Sequence, residues 1–238
     1  MKYSRKYKTN WHDTDASGNV RITRMLVYMQ ETSSAHVREC GGALSNIREK
    51  KGLTFILSRI SLSVYAPLRA YADIDVETWT CPSRGFSLVR CYRILCGDTV
   101  IVEAHTVWAL VDIKNKSLCR FNDVGYSFDD EEPLALDMPQ RFRLPPDCEL
   151  VSVGKRRIAY SDLDYNMHMN NTKYPDMLCD FIDIDDVAKI KGMTLSYLHE
   201  SAFGDTLDIL RAEKDGTYYF RTVGQSGVCL EAQVFLDK

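Results

Sequence analysis

The sequence predicts an α+β protein made of two similar halves, each with a helix covered by antiparallel strands. Segments of the first half match segments of the second half in the same order, a helical apolar pattern opens each half, and strand-like segments joined by tight turns follow it. The 238 residues, of which 45% are hydrophobic and 26% charged, are typical of a protein that buries a sizeable core.

The internal repeat consists of four matches. HDTDASGNVRITRMLVYM, which starts at His12, matches SDLDYNMHMNNTKYPDML, which starts at Ser161. The shorter matches start at residues 61 and 194, 85 and 216, and 100 and 228, and they pair SLSVYAP with TLSYLHE, GFSLVR with GTYYFR, and VIVEAH with VCLEAQ. Because the order is kept while the connections shorten, we expect one architecture used twice.

A helix is predicted early in each half from side chains at i, i+3, i+4 and i+7 spacing. Gly41-Gly42 ends or bends the first helix, and Pro175 is tolerated in the first turn of the second. On the first stripe, His36 is more typical of a buried core histidine than of a ligand. The stripes are Ile22, Met25, Leu26, Met29, Ser33, His36, Val37 and Cys40 in the first half, and the shorter Tyr174, Met177, Leu178 and Phe181 in the second.

Strands and hairpins follow each helix. ADIDVET, from Ala72, alternates apolar and acidic residues as a half-buried strand does. Turns at Cys96-Gly97-Asp98 and Gln225-Ser226-Gly227 separate strand-like segments and predict two hairpins. Between the halves, four prolines in DDEEPLALDMPQRFRLPPD predict a linker that packs as an extended strap. We therefore expect a first domain at 1–130, a linker at 131–152 and a second domain at 153–238.

Composition excludes several classes of function. A net charge of −3 argues against nucleic-acid binding, and no apolar segment reaches the roughly 18 residues of a membrane span. MKYSRKYKTNW lacks the apolar region of a secretory signal. Eight cysteines without a CxxC pair fit neither a zinc site nor a disulfide framework. We expect reduced thiols in a cytoplasmic protein that needs no metal or other cofactor.

The candidate chemistry lies in SDLDYNMHMNNTKY, residues 161–174. Asp164, Asn166 and His168 alternate with apolar residues, which places the three polar groups on one side of an extended segment. Histidine moves protons near neutral pH, and a helix that starts at Asn170 to Thr172 offers free N–H groups to a developing oxyanion. These groups indicate an acyl-transfer or hydrolysis site.

The alternative is a loop that only caps a helix. Asp162, Asn170 and Asn171 are preferred cap and turn residues and need no catalytic explanation. The two halves differ, however, at the residues with acid–base chemistry. The first half has Ser17, Asn19 and Pro67 where the second half has Asn166, His168 and Glu200. This asymmetry favours one active site for two repeats.

The run LDYNMHMNNTKY resembles the D-x-N-x-H-x-N-N-x-x-Y segment of the acyl-ACP thioesterases of plants and bacteria. TLSYLHES, from Thr194, is similar to the T-L-x-Y-x-x-E-C segment of that family, and NWHDTDASGNVRITRMLVYMQETSSAHV, from Asn10, is similar to its first helix region. The resemblance implies two tandem hotdog domains, each a long helix wrapped by an antiparallel sheet. It also implies hydrolysis of fatty acyl-ACP, which ends chain elongation in fatty acid biosynthesis.

The resemblance places the catalytic set on Asp164, Asn166, His168 and Glu200. Plant members have Cys at the position of Ser201, which favours a water activated by Glu200 and His168 over attack by a side chain. Asn166 and helix N–H groups would hold the thioester oxygen. His199, on the opposite face of the strand that carries Glu200, and Cys179, in the helix, are expected to be structural.

The resemblance also implies acyl carrier protein as the partner and an apolar slot for the acyl chain. Met25, Leu26, Tyr28 and Met29 would line the slot or belong to the core. Lys155, Arg156 and Arg157 would contact the acidic carrier or form a solvated strand edge. Acyl-CoA hydrolysis and catalytically silent acyl binding stay open as alternatives, with a hydratase as a weaker one. Whether the chain forms a homodimer stays open as well.

Overall fold

The computed structural model describes residues 2–40, 44–120 and 130–237, so Gly41-Gly42 lies outside the described residues. The first half contains β1 (Tyr3–Lys8), α1 (Ile22–Glu39), α2 (Leu44–Lys51), β2 (Leu53–Val64), β3 (Asp73–Arg84), β4 (Ser87–Cys96), β5 (Thr99–Asp112) and β6 (Ser117–Cys119). The second half contains β7 (Val151–Arg157), α3 (Tyr174–Cys179), α4 (Ile184–Val187), β8 (Ile190–Tyr197), β9 (Thr206–Lys214), β10 (Thr217–Gly224) and β11 (Gly227–Leu236).

The described strands form one antiparallel sheet in the order β1-β3-β4-β5-β2-β8-β11-β10-β9-β7, with β6 paired to β5. The second half repeats the strand order of the first in reverse, as a pseudo-two-fold axis between β2 and β8 requires. Each half therefore has a helix against an antiparallel sheet, which is the hotdog arrangement. The predicted α+β fold class and both predicted hairpins are confirmed.

The helices of the two halves differ in length. The first helix, α1, has 18 residues, whereas α3 has six and follows a 3-10 turn at Asn171–Lys173. The prediction of a long helix in each half therefore overestimates the length of the helix in the second half. The apolar stripe there is short, and Asp183 accepts a hydrogen bond from the Asp185 amide, which starts α4 in a new direction.

The pseudo-two-fold axis passes through residues that the repeat matches with each other. Ser61 and Thr194 are Cα partners where β2 meets β8, and their hydroxyl oxygens lie 3.4 Å apart. Both hydroxyls also donate to the Pro139 carbonyl, at 3.1 and 2.6 Å. The sequence match identified the two residues as equivalent, and the fold makes them neighbours.

One hydrophobic core runs through both halves. On one face of the central strands, Ile60 and Leu62 of β2 adjoin Met193 and Leu195 of β8, and all four are nearly inaccessible to solvent. Met25, Leu26 and Met29 of α1 pack into the same core. Burial of such side chains contributes about 1.5–3 kcal/mol each, and here it stabilises both halves together.

The opposite face is crossed by the segment between the halves, which has no helix or strand from residue 130 to 150. The Trp79 indole donates to the Glu132 carbonyl at 3.0 Å, and the Arg143 amide donates to Gln233 Oε1 at 3.2 Å. Phe142 lies edge-on to Tyr219 of β10. The segment thus packs as an extended strap, while the domain limits at 130 and 153 stay a prediction, since both halves share one sheet and one core.

The polar loop before each helix is anchored by a buried aspartate. Asp13 Oδ2 accepts from the Asn10 amide at 2.8 Å and from Tyr28 at 2.6 Å. Its Oδ1 accepts from Arg24 at 2.7 Å. Burial, together with the Asp13 carboxylate, raises the pKa of Tyr28 to about 12. The anchor therefore consists of an ionised carboxylate held by donors from three residues.

Replacing Asp13 with Asn should lower the free energy of unfolding by about 2 kcal/mol at neutral pH, because hydrogen bonds to a charged group are lost. Burial raises the pKa of the Asp13 carboxyl, but donation from Tyr28 and the Asn10 amide and the Arg24 charge outweigh it, so the net pKa is lowered. The stability contribution is present above the pKa of unfolded aspartate, about 3.9, and it is lost as pH falls through the folded pKa. Urea denaturation at neutral and at acid pH measures this difference.

Asp73→Asn is the matched control. Asp73 is 86% exposed in its side chain and lies 3.8 Å from Lys8, so its loss should change stability very little at either pH. A penalty for Asp13→Asn that stays constant down to acid pH would contradict the role of the carboxylate charge.

Candidate active site

The loop at 161–170 is built on Asp162. A 3-10 turn at Tyr160–Asp162 brings Asp162 Oδ2 within 2.8 Å of the Ala159 amide, and Oδ1 accepts from Arg156 at 2.6 Å. These contacts match those of Asp13 in the first half, where Asn10 and Arg24 are the donors. The prediction that Asp162 belongs to the polar scaffold is confirmed.

Asp164 shapes the next turn. Its Oδ1 accepts from the amides of Asn166, at 2.7 Å, and His168, at 3.4 Å, while its own amide donates to the His168 carbonyl at 2.8 Å. Met167 is held at φ 64°, a left-handed conformation that costs energy in a residue with a side chain. The turn therefore fixes the backbone on both sides of His168.

The first half contains the same turn without the histidine. Asp15 Oδ1 accepts from the amides of Ser17, at 2.9 Å, and Asn19, at 3.1 Å, and Gly18 has φ 77° where the second half has Met167. The contacts of Asp164 therefore belong to the shared loop architecture. The second half differs in the side chains that this loop presents.

The loop brings His168 to Glu200. His168 pairs with Ala202 through an isolated β-bridge, and the Met169 amide donates to the Ser201 carbonyl at 2.8 Å. His168 Nδ1 then lies 3.3 Å from Glu200 Oε2, with side chains 33% and 61% exposed. Two residues predicted for the site are thus in contact. Glu200 lies beyond the end of β8 at Tyr197, not on the strand as the sequence suggested.

Asn166 is contacted by a residue from the first half. Arg48 of α2 donates from Nη1 to Asn166 Oδ1, and its guanidinium lies 5.4 Å from the centre of the Tyr165 ring. Sequence reasoning missed Arg48, because a cation in a charged helical segment is usually solvated. Its position at the loop follows only from the packing of one half against the other.

A cleft of about 640 Å³ ends on the same loop. Asp164, Asn166, Asn170 and Asn171 form its polar end. The other walls come from the first half and are largely apolar: Gln30, Ser33, Ser34 and Val37 of α1, Ile47, Arg48 and Glu49 of α2, Leu53, Thr54 and Phe55 of β2, and Leu88, Arg90 and Trp108 of β4 and β5. The volume suits a small elongated ligand.

The residues predicted as alternatives for the slot are core residues. Met25, Leu26, Tyr28 and Met29 are each at most 6% exposed and do not line this cleft, which lies on another face of α1. His36 is also buried, with Nδ1 3.1 Å from Arg90 Nη1. Burial and the Arg90 charge lower the pKa of His36 to about 4, as expected for a neutral core histidine.

The predicted oxyanion site at the helix start stays a prediction, and Asn170 occupies two of the N–H groups there. Asn170 caps the 3-10 turn: its Oδ1 accepts from the Thr172 amide at 2.9 Å, and its carbonyl accepts from the Lys173 amide at 2.9 Å. Both N–H groups are therefore occupied. The prediction of Asn170 as a cap is confirmed by the same contacts.

The neighbouring nucleophiles and the second histidine have structural roles. Ser201 is fully buried, and its Oγ lies 3.0 Å from the Tyr174 hydroxyl. Burial raises the pKa of the Cys179 thiol to about 12, which keeps it protonated and unreactive. His199 is a surface residue with Nδ1 2.8 Å from the Val228 carbonyl.

Family models identify both halves. The model for the acyl-ACP thioesterase N-terminal domain matches residues 1–126, and the model for the acyl-ACP thioesterase C-terminal domain matches residues 151–227. The chain belongs to the acyl-ACP thioesterase family. The family resemblance of the motifs is thereby confirmed, and the matched ranges contain the loop of His168 and also Glu200.

Curated relatives of this acyl-ACP thioesterase family member are distant. A chloroplastic palmitoyl-acyl carrier protein thioesterase of Gossypium hirsutum is 22% identical over 232 residues, which cover 90% of this chain and 56% of the relative. The protein of the same description from Arabidopsis thaliana is 22% identical over 229 residues, covering 89% and 55%. The chain thus spans little more than half the length of these relatives.

Solved structures of family members share the fold over the whole chain. An acyl-ACP thioesterase from Bacteroides thetaiotaomicron superposes with a TM-score of 0.89 at 20% identity, covering 99% of this chain and 98% of the other. A 12:0-ACP thioesterase from Umbellularia californica superposes with a TM-score of 0.83 at 15% identity, covering 99% and 97%. These similarities support the double hotdog fold.

Proposed function

We propose that this protein hydrolyses the thioester between a fatty acyl chain and acyl carrier protein, and so ends chain elongation. The observation that carries the proposal is the 3.3 Å approach of His168 Nδ1 to Glu200 Oε2, beside a cleft of about 640 Å³. Family membership supports the substrate class, as do relatives described as palmitoyl-acyl carrier protein thioesterases.

In the proposed reaction His168 is the general base and Glu200 orients it. A carboxylate at Nδ1 keeps the proton on that nitrogen and leaves Nε2 as the basic atom. Nε2 takes a proton from a water molecule whose oxygen forms a bond to the thioester carbon. When the carbon–sulfur bond breaks, the proton moves from Nε2 to the departing sulfur, and the free fatty acid and carrier thiol result.

Asn166 and Arg48 are the proposed donors to the oxygen that becomes negative. Asn166 Oδ1 accepts from Arg48, and Nδ2 donates one of its two hydrogens to Asp164 Oδ2 at 3.5 Å, which leaves the other to donate to the substrate. Arg48 adds a positive charge on the same side, where charge develops in the transition state. Asp15 makes the same contacts as Asp164 in the equivalent loop of the first half, which has Asn19 in place of His168. Asp164 is therefore proposed to position His168 and Asn166.

The acyl chain is proposed to lie in the cleft of the first half. Val37, Leu53 and Phe55 offer apolar contact along its walls, so each methylene group withdrawn from water adds about 0.8 kcal/mol. The proposed catalytic residues of the second half would thus act on an acyl chain that the first half holds.

The carrier is proposed to dock near the strand edge of β7. Lys155 and Arg157 are exposed there, and they match an acidic partner. Arg156 differs from the prediction, because its bond to Asp162 at 2.6 Å makes it part of the loop scaffold.

Among the described residues, no helix is long and apolar enough to cross a bilayer. We propose a cytoplasmic location, and a homodimer stays open.

Hydrolysis of acyl-ACP and acyl-CoA with matched acyl chains tests the proposal. We expect the higher kcat/KM on acyl-ACP, because the carrier surface adds contacts that CoA lacks. A much higher value on acyl-CoA would overturn the proposed substrate while keeping the reaction. No hydrolysis of either thioester would favour a silent acyl-binding protein. Expression in a bacterium, with released fatty acids compared against Glu200→Ala, provides the matching test in cells.

A further inference from the structure

A second cleft of about 570 Å³ lies at the position that the pseudo-two-fold axis assigns to a copy of the first. It ends on the Asp15 loop of the first half, and its other walls include α3, α4 and the start of β8. The first cleft, in turn, ends on the Asp164 loop and has walls from α1, α2 and the start of β2. The second cleft thus resembles the first with the halves exchanged, and α1 and the end of β2 add further walls from the first half.

The correspondence extends to single contacts at the polar ends. On the loop that forms the polar end of the first cleft, His168 forms a β-bridge with Ala202. In the second, Asn19 forms a β-bridge with Arg69. The repeat aligns these pairs position by position, so the chemistry of the second cleft can be compared directly with that of the catalytic one.

The reactive groups are absent from the second cleft and a cation takes their place. Asn19 lies where the catalytic half has His168, and Pro67 lies where it has Glu200, so neither base nor orienting carboxylate remains. Arg69 lies where the catalytic half has the small Ala202. This end is therefore unsuited to hydrolysis and suited to holding an anionic group.

We propose that the second cleft is a non-catalytic binding site for a long-chain carboxylate, the chemical class of a free fatty acid. The choice of an acyl ligand rests on the proposed function of the equivalent first cleft. The carboxylate would contact the Arg69 guanidinium, and the hydrocarbon chain would lie against Ile22, Met25 and Val64. The second cleft would therefore bind a free fatty acid, which is the product of the hydrolysis proposed for the first cleft.

Arg69 is available for such a ligand. Its Nη1 donates to the Ser17 carbonyl at 2.9 Å, which fixes the guanidinium beside the loop. Arg69 takes part in none of the salt bridges found within the described part of the chain. A neutral acceptor holds it in place, and no carboxylate of the described residues forms an ion pair with it within 4.0 Å.

The other cations around the second cleft are closer to carboxylates. Lys189 lies 2.8 Å from Asp186, Lys191 lies 4.0 Å from Asp237, and Arg21 Nη1 lies 3.8 Å from Asp176 Oδ2. These pairs neutralise much of the local charge. They leave Arg69 as the cation most able to select a carboxylate over a neutral thioester.

Equilibrium dialysis with labelled saturated fatty acids of increasing length, below their micelle concentrations, tests the proposal. We expect two molecules per chain in the parent protein and one in Arg69→Glu, with an affinity loss of at least about tenfold at the second site. Arg69→Lys should restore the second molecule in part, because it restores the charge. Ser34→Trp, which fills the first cleft, should remove only the molecule that does not depend on Arg69.

One molecule per chain that Ser34→Trp abolishes, or two molecules in both the parent and Arg69→Glu, would overturn the proposal. Near-ultraviolet circular dichroism checks that each variant is folded. Hydrolysis of acyl-ACP is measured separately, which keeps the two proposals distinguishable. Binding of two fatty acids without any hydrolysis would contradict the proposed function and support the second site. Hydrolysis of acyl-ACP without a second bound fatty acid would contradict only the second site.

Discussion

Replacing His168 with Ala should lower kcat/KM on acyl-ACP by at least about 100-fold, the usual contribution of a positioned general base. The fold should persist, because the side chain is 33% exposed and the loop is fixed by backbone contacts to Asp164 and Ser201. Glu200→Ala should lower kcat/KM by a similar factor, since a base and its orienting group act as a unit. Steady-state hydrolysis and a thermal melt of each variant measure activity and folding separately.

His199→Ala is the matched control for His168→Ala. His199 is likewise a solvated histidine of the same half, but its side chain hydrogen-bonds to the Val228 carbonyl. We expect its activity to stay close to that of the parent. Comparable losses in the two histidine variants would show that His168 has no special role, and so would full activity in His168→Ala.

Ser201→Ala separates an activated water from a serine nucleophile. Ser201 is fully buried and bonded to Tyr174, so its loss should cost about 1 kcal/mol of stability and little activity. A loss as large as that of His168→Ala, together with an acyl-enzyme detected by mass spectrometry, would instead assign the attack to Ser201.

The sequence predicted the turn chemistry of the site because that chemistry is local. Asp162, Asp164 and Asn170 bond to backbone groups within four residues, so their residue types and spacing are enough to indicate the loop. The repeat added a second copy in Asp13 and Asp15, which accept from the equivalent backbone amides. Local hydrogen bonding also limits the N–H groups that the helix start can offer to a substrate, since Asn170 accepts from the amides of Thr172 and Lys173.

The parts that sequence reasoning missed depend on contacts between distant segments. Arg48 meets Asn166 across the halves, and the cleft is walled by two helices and three strands that converge only in the folded sheet. Glu200 entered the predicted set through the comparison of the two halves and the family motif, and not through its spacing from His168. Periodicity likewise identified the α1 stripe but not which face of α1 would meet the cleft.

Replacing Phe220 with Ala should lower the free energy of unfolding by about 4 kcal/mol, the typical penalty for removing a large buried aromatic side chain. Phe220 is inaccessible to solvent in β10 and belongs to the core that also contains Ile60 and Leu62 of the first half. Because that core is continuous across β2 and β8, we expect both halves to unfold in one transition. The midpoint of thermal unfolding, Tm, should fall by about 10 °C for a chain of this size.

Phe86→Ala is the control of the same chemistry. Phe86 is 44% exposed in the turn between β3 and β4, so the same truncation leaves no cavity and should cost well under about 1 kcal/mol. Urea denaturation followed by circular dichroism and by tryptophan fluorescence compares the variants. All three tryptophans lie in the first half, so tryptophan fluorescence follows the unfolding of that half. If the Phe220→Ala change shifts the circular dichroism transition but not the fluorescence transition, the two halves unfold independently. Coincident shifts would mean that a defect in the second half also destabilises the first half, which contains most of the cleft walls.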